Sequence, residues 1–107
     1  MTLLIMMLTI LTIAFSPKAW AIDTTDGSKV FNVNCAACHT GGGNIIRRGK
    51  NLKQRALKKY GMDSIDAITY LVENGKNAMP AYKERLNDQQ ILDVSAYVLE
   101  QAEKDWN

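Results

Sequence analysis

The sequence predicts a small all-α domain behind a short apolar leader. Apolar residues recur at helical spacing through the second half of the chain, and no sustained alternation or hairpin dipeptide indicates a strand. The first 21 residues hold one charged side chain, Lys18, whereas the remaining 86 hold the other 23. The hydrophobic core of a domain of that size supplies only marginal stability, so such domains usually depend on a metal, a disulfide or another stabilising cross-link. Two cysteines allow at most one disulfide.

Residues 1–21 have the pattern of a secretory signal peptide. Leu3 to Phe15 is an apolar run, shorter than the roughly 20 residues that a membrane span needs. Small residues at Ala19 and Ala21 follow it with the spacing of a signal peptidase site. We therefore expect cleavage after Ala21 and an exported domain over residues 22–107. The alternative is an uncleaved anchor helix.

The first predicted helix runs from about Thr25 or Asp26 into the two cysteines, and Asp26 is its candidate N-cap. Its expected apolar side carries Val30, Phe31 and Val33. Three consecutive glycines, residues 41–43, end this helix and open a loop, because glycine favours turns over helix interiors.

A strongly basic segment follows this loop. Residues 44–60 contain seven Lys or Arg and no acidic residue, whereas residues 61–107 contain nine acidic and four basic residues. A second helix is expected from about Leu52 to Tyr60, and Gly61 stops it. The segment has one aromatic residue and the chain carries an export signal. We therefore interpret it as a solvent-exposed helix face and not as a nucleic-acid interface.

Two further helices complete the predicted domain. The third has Asp63 or Ser64 as its cap and ends before residues 74–75. Its apolar residues at helical spacing are Ile65, Ile68 and Val72. Asn87, followed three residues later by Gln90, resembles a capping box and opens the last helix. The expected buried stripe of that helix consists of Ile91, Val94, Ser95, Val98 and Ala102.

The strongest functional signal is the motif C-A-A-C-H at residues 35–39, which is the attachment pattern of c-type haem. On one helical turn Cys35 and Cys38 share a face, so that their thiols reach the two vinyl groups of one porphyrin. His39 then brings an imidazole beneath the iron. The alternative from another class is a haem-free thiol or disulfide protein. A zinc site needs about four ligands, more than two cysteines and one histidine provide.

The second axial ligand of such a haem is expected to be a methionine. His39 is the only histidine, and methionine is the other soft neutral ligand of cytochromes c. Met62 opens a helix and is expected to pack, whereas Met79 lies in a loop. Gly75 permits a left-handed turn in that loop, and Pro80 favours extended backbone at Met79. We therefore expect Met79 to be the ligand, and an iron with both axial positions filled favours electron transfer over substrate chemistry.

Several short segments together carry a family resemblance. They are G-S-K-V-F at 27–31, N-C-A-A-C-H at 34–39, G-G-G-N at 41–44, Y-G-M at 60–62, N-G-K-N-A-M-P-A-Y at 74–82 and V-S-A-Y-V-L at 94–99. This set resembles the cytochrome c6 family over essentially the whole predicted domain. The resemblance implies the class I cytochrome c fold, with one covalent haem c and with the first and last helices crossing near Gly27, Phe31 and Tyr97.

The resemblance also implies a function and a location. Family members are soluble, monomeric electron carriers of the thylakoid lumen in cyanobacteria and algal plastids, and they are not enzymes. They accept an electron from cytochrome f of the b6f complex and deliver it to photosystem I. A basic residue shortly after the axial methionine serves docking on photosystem I, and Arg85, with Lys83 nearby, occupies the matching place.

One position departs from the family pattern in a way that bears on function. Members that serve photosystem I usually carry Gln near the haem, and the matching position here is Leu71. An alkyl side chain there changes local polarity, so we expect a lower potential. A low-potential c6-like paralogue, or a donor to a terminal oxidase, is therefore an alternative function. Tyr82, where Phe is common, is a milder departure.

Overall fold

The computed structural model describes residues 21–107, and this part of the chain is helical. Its helices are α1 (Thr24–Asn34), α2 (Ala36–His39), α3 (Gln54–Lys59), α4 (Ile65–Asn74) and α5 (Asp88–Glu103), and a 3₁₀ turn over Thr40–Gly42 follows α2. The only β-type contact in these residues is an isolated bridge between Lys76 and Met79. The predicted all-α class is therefore confirmed. The expected signal peptide over residues 1–21 lies, apart from Ala21, outside the described residues.

Helix α1 is capped by Asp23, so the prediction of Asp26 as the cap was wrong. The Asp23 carboxylate accepts hydrogen bonds from the backbone N–H groups of Thr25 at 3.0 Å and Asp26 at 3.1 Å. Both aspartates precede the apolar run, but only Asp23 has the extended backbone, with φ −123° and ψ 98°, that an N-cap needs. The Asp26 carboxyl instead interacts with that of Asp93 on α5.

Helices α1 and α5 cross at close range, as the resemblance implies. A Cβ atom added to Gly27 would lie 2.8 Å from the Cβ of Tyr97 and would also clash with the Asp93 carbonyl oxygen. Only glycine allows this approach. The rings of Phe31 and Tyr97 pack with their centroids 5.4 Å apart. Val33, which the sequence placed on the same side, is 84% exposed, because the helical repeat carries it off the Gly27–Phe31 face.

The other predicted helices begin and end close to the expected positions. Helix α3 lies inside the predicted range 52–60. Ser64, the second of the two candidate caps, caps α4, and its Oγ accepts from the Ala67 N–H at 3.1 Å. The capping box of α5 is confirmed, because Asn87 Oδ1 accepts from the Gln90 N–H at 2.8 Å and Gln90 Oε1 accepts from the Asn87 N–H at 2.9 Å.

The predicted stripe of α5 is the centre of the core. Its members Ile91, Val94, Ser95, Val98 and Ala102 are all buried. The Ser95 hydroxyl donates to the Ile91 carbonyl oxygen at 2.7 Å and accepts from Thr69 Oγ1 of α4 at 3.1 Å. Its polar group is therefore satisfied in a fully buried position.

The residues after α5 contribute an aromatic contact that the sequence did not predict. The Trp106 ring centroid lies 5.2 Å from that of Phe31 and 6.0 Å from that of Tyr97. Its Nε1–H donates to the Leu52 carbonyl oxygen at 3.0 Å, and the indole covers Gly42, where a side chain would clash. The C-terminal segment thus joins the α1–α5 crossing to the loop between α2 and α3.

Candidate functional site

A cavity of about 560 Å³ lies beside the α1–α5 crossing. Cofactor pockets have volumes of roughly 300–1,000 Å³, so this cavity is large enough for one. Its apolar wall includes Phe31, Leu57, Ile68, Val72, Val94 and Val98, which come from four of the helices. The core of this small domain is therefore built around a space that the chain's own side chains do not fill.

The motif at residues 35–39 forms one wall of this cavity. Cys35 follows α1 directly, and its backbone N–H donates to the Phe31 carbonyl oxygen at 2.8 Å. The backbone N–H of His39 donates to the Cys35 carbonyl oxygen at 3.0 Å, which closes one helical turn. That turn places Cys35, Cys38 and His39 along the same cavity. Neither cysteine forms a disulfide, so both sulfur atoms are available to a group bound in the cavity.

The imidazole of His39 is oriented by a backbone carbonyl. Its Nδ1 lies 2.8 Å from the carbonyl oxygen of Gly43, and because a carbonyl can only accept, Nδ1–H is the donor. Nε2 is then the ring nitrogen with a free lone pair, the form in which histidine binds metals. The glycine turn after α2 therefore supplies the carbonyl group that fixes the His39 tautomer in which Nε2 can bind a metal.

Met79 lines the cavity from a tight loop between α4 and α5. The backbone N–H of Lys76 donates to the Met79 carbonyl oxygen, and the N–H of Met79 donates to the Lys76 carbonyl oxygen, both at 3.0 Å. Gly75 has φ 69°, and a Cβ there would lie 2.6 Å from the Met79 carbonyl oxygen. A glycine is therefore required for the loop to close. Met62 also lines the cavity and packs against the core.

Tyr82 joins the Met79 loop to the wall that carries the cysteines. It is buried, and its hydroxyl donates to the carbonyl oxygen of Asn34, the residue before Cys35, at 2.9 Å. Its backbone N–H donates to the Val72 carbonyl oxygen at 2.9 Å, and burial raises the pKa of the Tyr82 phenol. A Phe at this position would lack this hydroxyl hydrogen bond. Tyr82, which stands where the family commonly has Phe, therefore links the Met79 loop to the wall that carries the cysteines.

The remaining predicted positions divide between the cavity and the surface. Leu71 lines the cavity. Lys83 and Arg85 do not line it, and both are exposed in the segment between α4 and α5. The Arg85 guanidinium lies 5.5 Å from the centroid of the Tyr82 ring, which fixes the charge close to the Met79 loop.

The sequence did not predict the cavity edge that the basic segment forms. Ile46, Arg47, Lys50 and Tyr60 line this edge. Asn44 holds the loop, because its Oδ1 accepts from the N–H groups of Ile46 at 3.0 Å and Arg47 at 2.8 Å. Its Nδ2 donates to the Lys50 carbonyl oxygen at 2.9 Å. The only signal in the sequence was an Asn after three glycines, which is typical of an Asx turn.

The donors that line the cavity fit a covalently attached haem. Two thiols, an imidazole with a free Nε2 and a methionine thioether face one largely apolar space, and these are the groups that c-type cytochromes use. Within residues 21–107, no three His, Cys, Asp or Glu side chains converge as a separate metal site. No helix in that part of the chain is long and apolar enough to cross a membrane.

Comparisons of the sequence and of the structure with known proteins both find cytochromes. A family model described as cytochrome c oxidase, cbb3-type, subunit III, matches residues 23–98. A protein named cytochrome c6-like from a Nostoc strain is 62% identical over 91 residues, which are 85% of this chain and 82% of that protein. A cytochrome c6 from a Synechococcus strain is 54% identical over 106 residues, 99% of this chain and 95% of that protein. The structure of cytochrome c6 from the diatom Phaeodactylum tricornutum matches with a TM-score of 0.77 at 48% identity and covers 78% of this chain and 99% of that chain.

Proposed function

The chain belongs to the cytochrome c6 family, and we propose that it carries single electrons from cytochrome f of the b6f complex to photosystem I. Its cofactor is a covalently bound haem c, which supplies a reversible ferrous–ferric couple. The observation that carries the proposal is that both thiols, the His39 imidazole and the Met79 side chain line one apolar cavity.

In this proposal each residue of the cavity has one role. Cys35 and Cys38 would attach the haem through two thioether bonds, and His39 and Met79 would bind its iron. The Gly43 carbonyl orients the His39 ring and leaves Nε2 for the iron. With two protein side chains bound to the iron, the haem would supply electron exchange and would have no place for a substrate. The chain is thus a carrier that performs no bond-making chemistry.

The apolar wall contributes to electron transfer by excluding water. The buried side chains that line this part of the cavity are Val72, Val94 and Val98. Because they exclude water, few surrounding dipoles have to rearrange when the charge of the cofactor changes. The open edge beside Ile46 and Tyr60 is where a partner comes close to the cofactor. Lys83 and Arg85 provide the docking charges for photosystem I.

We further propose that the carrier acts in the thylakoid lumen of a cyanobacterium or an algal plastid. Relatives from cyanobacteria and a diatom support this location, as does the leader pattern of residues 1–21. Mass spectrometry of the exported protein is expected to find an N-terminus at Ile22 and the mass of one added haem. An N-terminus at Met1 would contradict the cleavage after Ala21.

A low-potential c6-like carrier is a second candidate, and Leu71 favours it. This alkyl side chain lines the cavity, at the place where the resemblance implies an amide. A protein named cytochrome c6-like is among the relatives of the chain, at 62% identity over 91 residues. In this case the acceptor is a protein other than photosystem I, such as a terminal oxidase.

The haem and its ligands are tested by the visible spectrum after expression with the haem-maturation machinery. Soret and α bands are expected, and their absence would favour the haem-free thiol protein. In Met79→Ala the long-wavelength ferric band of a methionine–iron bond should disappear, whereas it should remain in the control Met62→Ala. A band that persists in Met79→Ala excludes this ligand.

The choice between the two candidates is tested by redox titration and by flash kinetics of photosystem I reduction. Leu71→Gln should raise the potential and accelerate photosystem I reduction if the low-potential carrier is correct. Tyr70→Gln is the matched control, because Tyr70 is 70% exposed on the same helix. Fast reduction of photosystem I by the wild type, with no change of potential in Leu71→Gln, would instead support the photosystem I donor.

A further inference from the structure

Three consecutive glycines form the turn that orients His39. Gly41, Gly42 and Gly43 follow the cysteine–histidine motif, and glycine has more backbone freedom than any other residue. The Gly43 carbonyl oxygen nevertheless lies 2.8 Å from Nδ1 of His39. This hydrogen bond can fix the orientation of the imidazole only if the turn itself is held in place. The turn therefore needs support from outside its own residues.

The indole of Trp106 lies directly on this turn. A Cβ atom at Gly42 would lie 2.5 Å from both Cγ and Nε1 of Trp106, and Gly42 is buried. The same ring packs against Phe31 of α1 and Tyr97 of α5, with centroid distances of 5.2 Å and 6.0 Å. One side chain thus connects the glycine turn to the α1–α5 crossing.

A series of hydrogen bonds also runs from the indole to the turn. Nε1–H of Trp106 donates to the Leu52 carbonyl oxygen at 3.0 Å. The Leu52 N–H donates to the Gly42 carbonyl oxygen at 2.8 Å. At the other end of that peptide unit, the Gly43 N–H donates to the Thr40 carbonyl oxygen at 3.1 Å. The peptide unit that precedes the Gly43 carbonyl is therefore held at both ends.

The backbone that carries Trp106 is strained. Asp105 has φ 54° and Trp106 has φ 60°, in the left-handed region that bulky residues rarely adopt. Such strain persists where surrounding contacts fix the conformation, and it is common at functional sites. The Trp106 N–H donates to the Gln101 carbonyl oxygen at 2.8 Å, which closes this turn after α5. The contacts of the indole offset the strain, so the position of the ring is well specified.

Trp106 acts on the cavity indirectly. It does not line the cavity, whereas Leu52 and His39 do. A ring that only filled space between α1 and α5 would need no N–H donor. The hydrogen bond to Leu52 and the contact with Gly42 are both directed at the loop that carries the partner of His39.

We propose that Trp106 is a positioning residue for His39, because its indole immobilises the glycine turn and thereby keeps the Gly43 carbonyl bonded to Nδ1. The proposal rests on the electron-carrier function proposed above, in which His39 would bind the haem iron. A hydrogen bond at the second ring nitrogen makes a histidine ligand more basic, and a more basic ligand favours ferric iron. Trp106 would therefore lower the reduction potential without contacting the cofactor.

The first test is the exchange of the His39 Nδ1 proton with solvent, measured by NMR in the ferrous, haem-loaded protein. Trp106→Ala should accelerate this exchange by about tenfold, which corresponds to about 1.4 kcal/mol. Trp106→Phe keeps a ring and loses the N–H donor, so its rate should lie between those of the wild type and Trp106→Ala.

Leu99→Ala is the control for a general loss of stability. Leu99 packs against the core but does not line the cavity. Urea unfolding of each variant gives the part of the exchange that global unfolding explains. If Trp106→Ala exchanges the His39 proton no faster than global unfolding accounts for, as expected for Leu99→Ala, the proposal is overturned.

The glycine turn provides a reciprocal test. Gly41 and Gly42 have φ values of 64° and 79°, but a Cβ would meet the indole only at Gly42. Gly42→Ala should therefore accelerate the exchange of the His39 proton more than Gly41→Ala, which introduces similar backbone strain. In Gly42→Ala/Trp106→Ala the collision is absent, so the two effects should not add. Additive effects would contradict the proposal, because the two residues would then act independently.

Amide exchange shows which region the indole supports. The Leu52 and Gly43 amides, which donate within the loop at 2.8 Å and 3.1 Å, should lose protection in Trp106→Ala. The Ile68 amide, which donates to the Ser64 carbonyl oxygen at 3.1 Å at the start of α4, should retain its protection. An equal loss at all three amides would overturn the proposal, because Trp106 would then stabilise the domain as a whole.

Redox titration separates positioning from a merely structural role. The potential of Trp106→Ala should rise relative to the wild type and to Leu99→Ala, because the His39 ligand becomes less basic. A potential equal to that of Leu99→Ala would overturn the contribution of Trp106 to the potential. Normal Soret and α bands with unchanged His39 exchange in Trp106→Ala would overturn this inference alone, whereas their absence from the wild type would overturn the carrier function and the inference together.

Discussion

The α1–α5 crossing and the walls of the cavity are held together by different means. At the crossing, Gly27 lets two helices touch, and the Phe31, Tyr97 and Trp106 rings pack directly on one another. The opposite walls, over residues 40–53 and 75–87, contain no α-helix. They surround a cavity of about 560 Å³ and rest on backbone hydrogen bonds. Since unfilled apolar space costs stability, we expect the loops over residues 40–53 and 75–87 to depend on the cofactor more than the crossing does, because the rings at the crossing also pack on one another.

The largest effect is expected from loss of the covalent anchors. In Cys35→Ser/Cys38→Ser no haem should remain attached after denaturation, because thioether bonds can no longer form. Hydrogen exchange should show that the amides of residues 40–53 and 75–87 lose protection while those of α1 and α5 retain most of theirs. The measurement compares this variant with the haem-loaded wild type. A uniform loss of protection would contradict the difference between the two regions.

The crossing itself is tested by Gly27→Ala. The new Cβ would meet the backbone carbonyl of Asp93, which cannot rotate away, so the free energy of unfolding should fall by about 2–3 kcal/mol, as is common for overpacking. The control is Gly49→Ala, because no atom lies within 4 Å of a Cβ at Gly49. Urea unfolding of the haem-loaded proteins measures both. Equal midpoints for the two variants would contradict the close approach.

A smaller effect is expected on the cavity side from Tyr82→Phe. This variant keeps the ring and removes the hydrogen bond to the Asn34 carbonyl oxygen, so the free energy of unfolding should fall by about 1 kcal/mol. Tyr70→Phe removes a hydroxyl from a ring that is 70% exposed and should have no measurable effect. Thermal unfolding distinguishes the two. If Tyr82→Phe is neutral, the link between the walls does not contribute to stability.

The smallest effect concerns a carboxyl pair at the crossing. The pKa of Asp26 is raised, first by its hydrogen bond with Asp93, then by burial and by the charges of Asp93 and Asp23, while Lys29 acts in the opposite direction. An aspartate with a raised folded pKa adds stability at low pH, and this contribution is lost as the pH rises through that pKa. Asp26→Asn should therefore raise the midpoint temperature at pH 7.

The pH dependence of this gain provides the check. Below the ordinary aspartate pKa of about 3.9, Asp26 is protonated in both the folded and the unfolded state, so the difference between wild type and Asp26→Asn should vanish. Asp63→Asn, a change at an exposed position before α4, should show no such gain at pH 7. A gain that is the same at every pH would indicate that charge is not its cause.

Local patterns were sufficient for the helices and for the choice of candidate ligands. The capping box at Asn87 and Gln90 and the stripe of α5 depend on residues three or four positions apart, and both were predicted. The motif at residues 35–39 holds two thiols and an imidazole within five consecutive residues, so its haem-binding chemistry can be recognised from the sequence alone. The roles of Cys35, Cys38, His39 and Met79 as haem-binding residues stay predictions, although all four line one cavity.

Contacts between distant residues could not be predicted in this way. The hydroxyl bond of Tyr82 spans 48 residues and the indole bond of Trp106 spans 54, and no local pattern specifies either. The choice of Asp23 over Asp26 as the cap depends on where α1 meets α5, since Asp93 Oδ1 accepts from the Asp23 N–H at 2.9 Å.

The sequence by itself determined the all-α class, the cysteine–histidine motif and the basic segment, because periodicity, capping and charge are properties of neighbouring residues. Only the tertiary structure decided which of these residues meet. It brought the basic segment and the Met79 loop to the edges of one cavity, because the close crossing of α1 and α5 and the long-range hydrogen bonds set the positions of the loops. Such distances depend on the packing of the whole chain, which no single stretch of sequence contains.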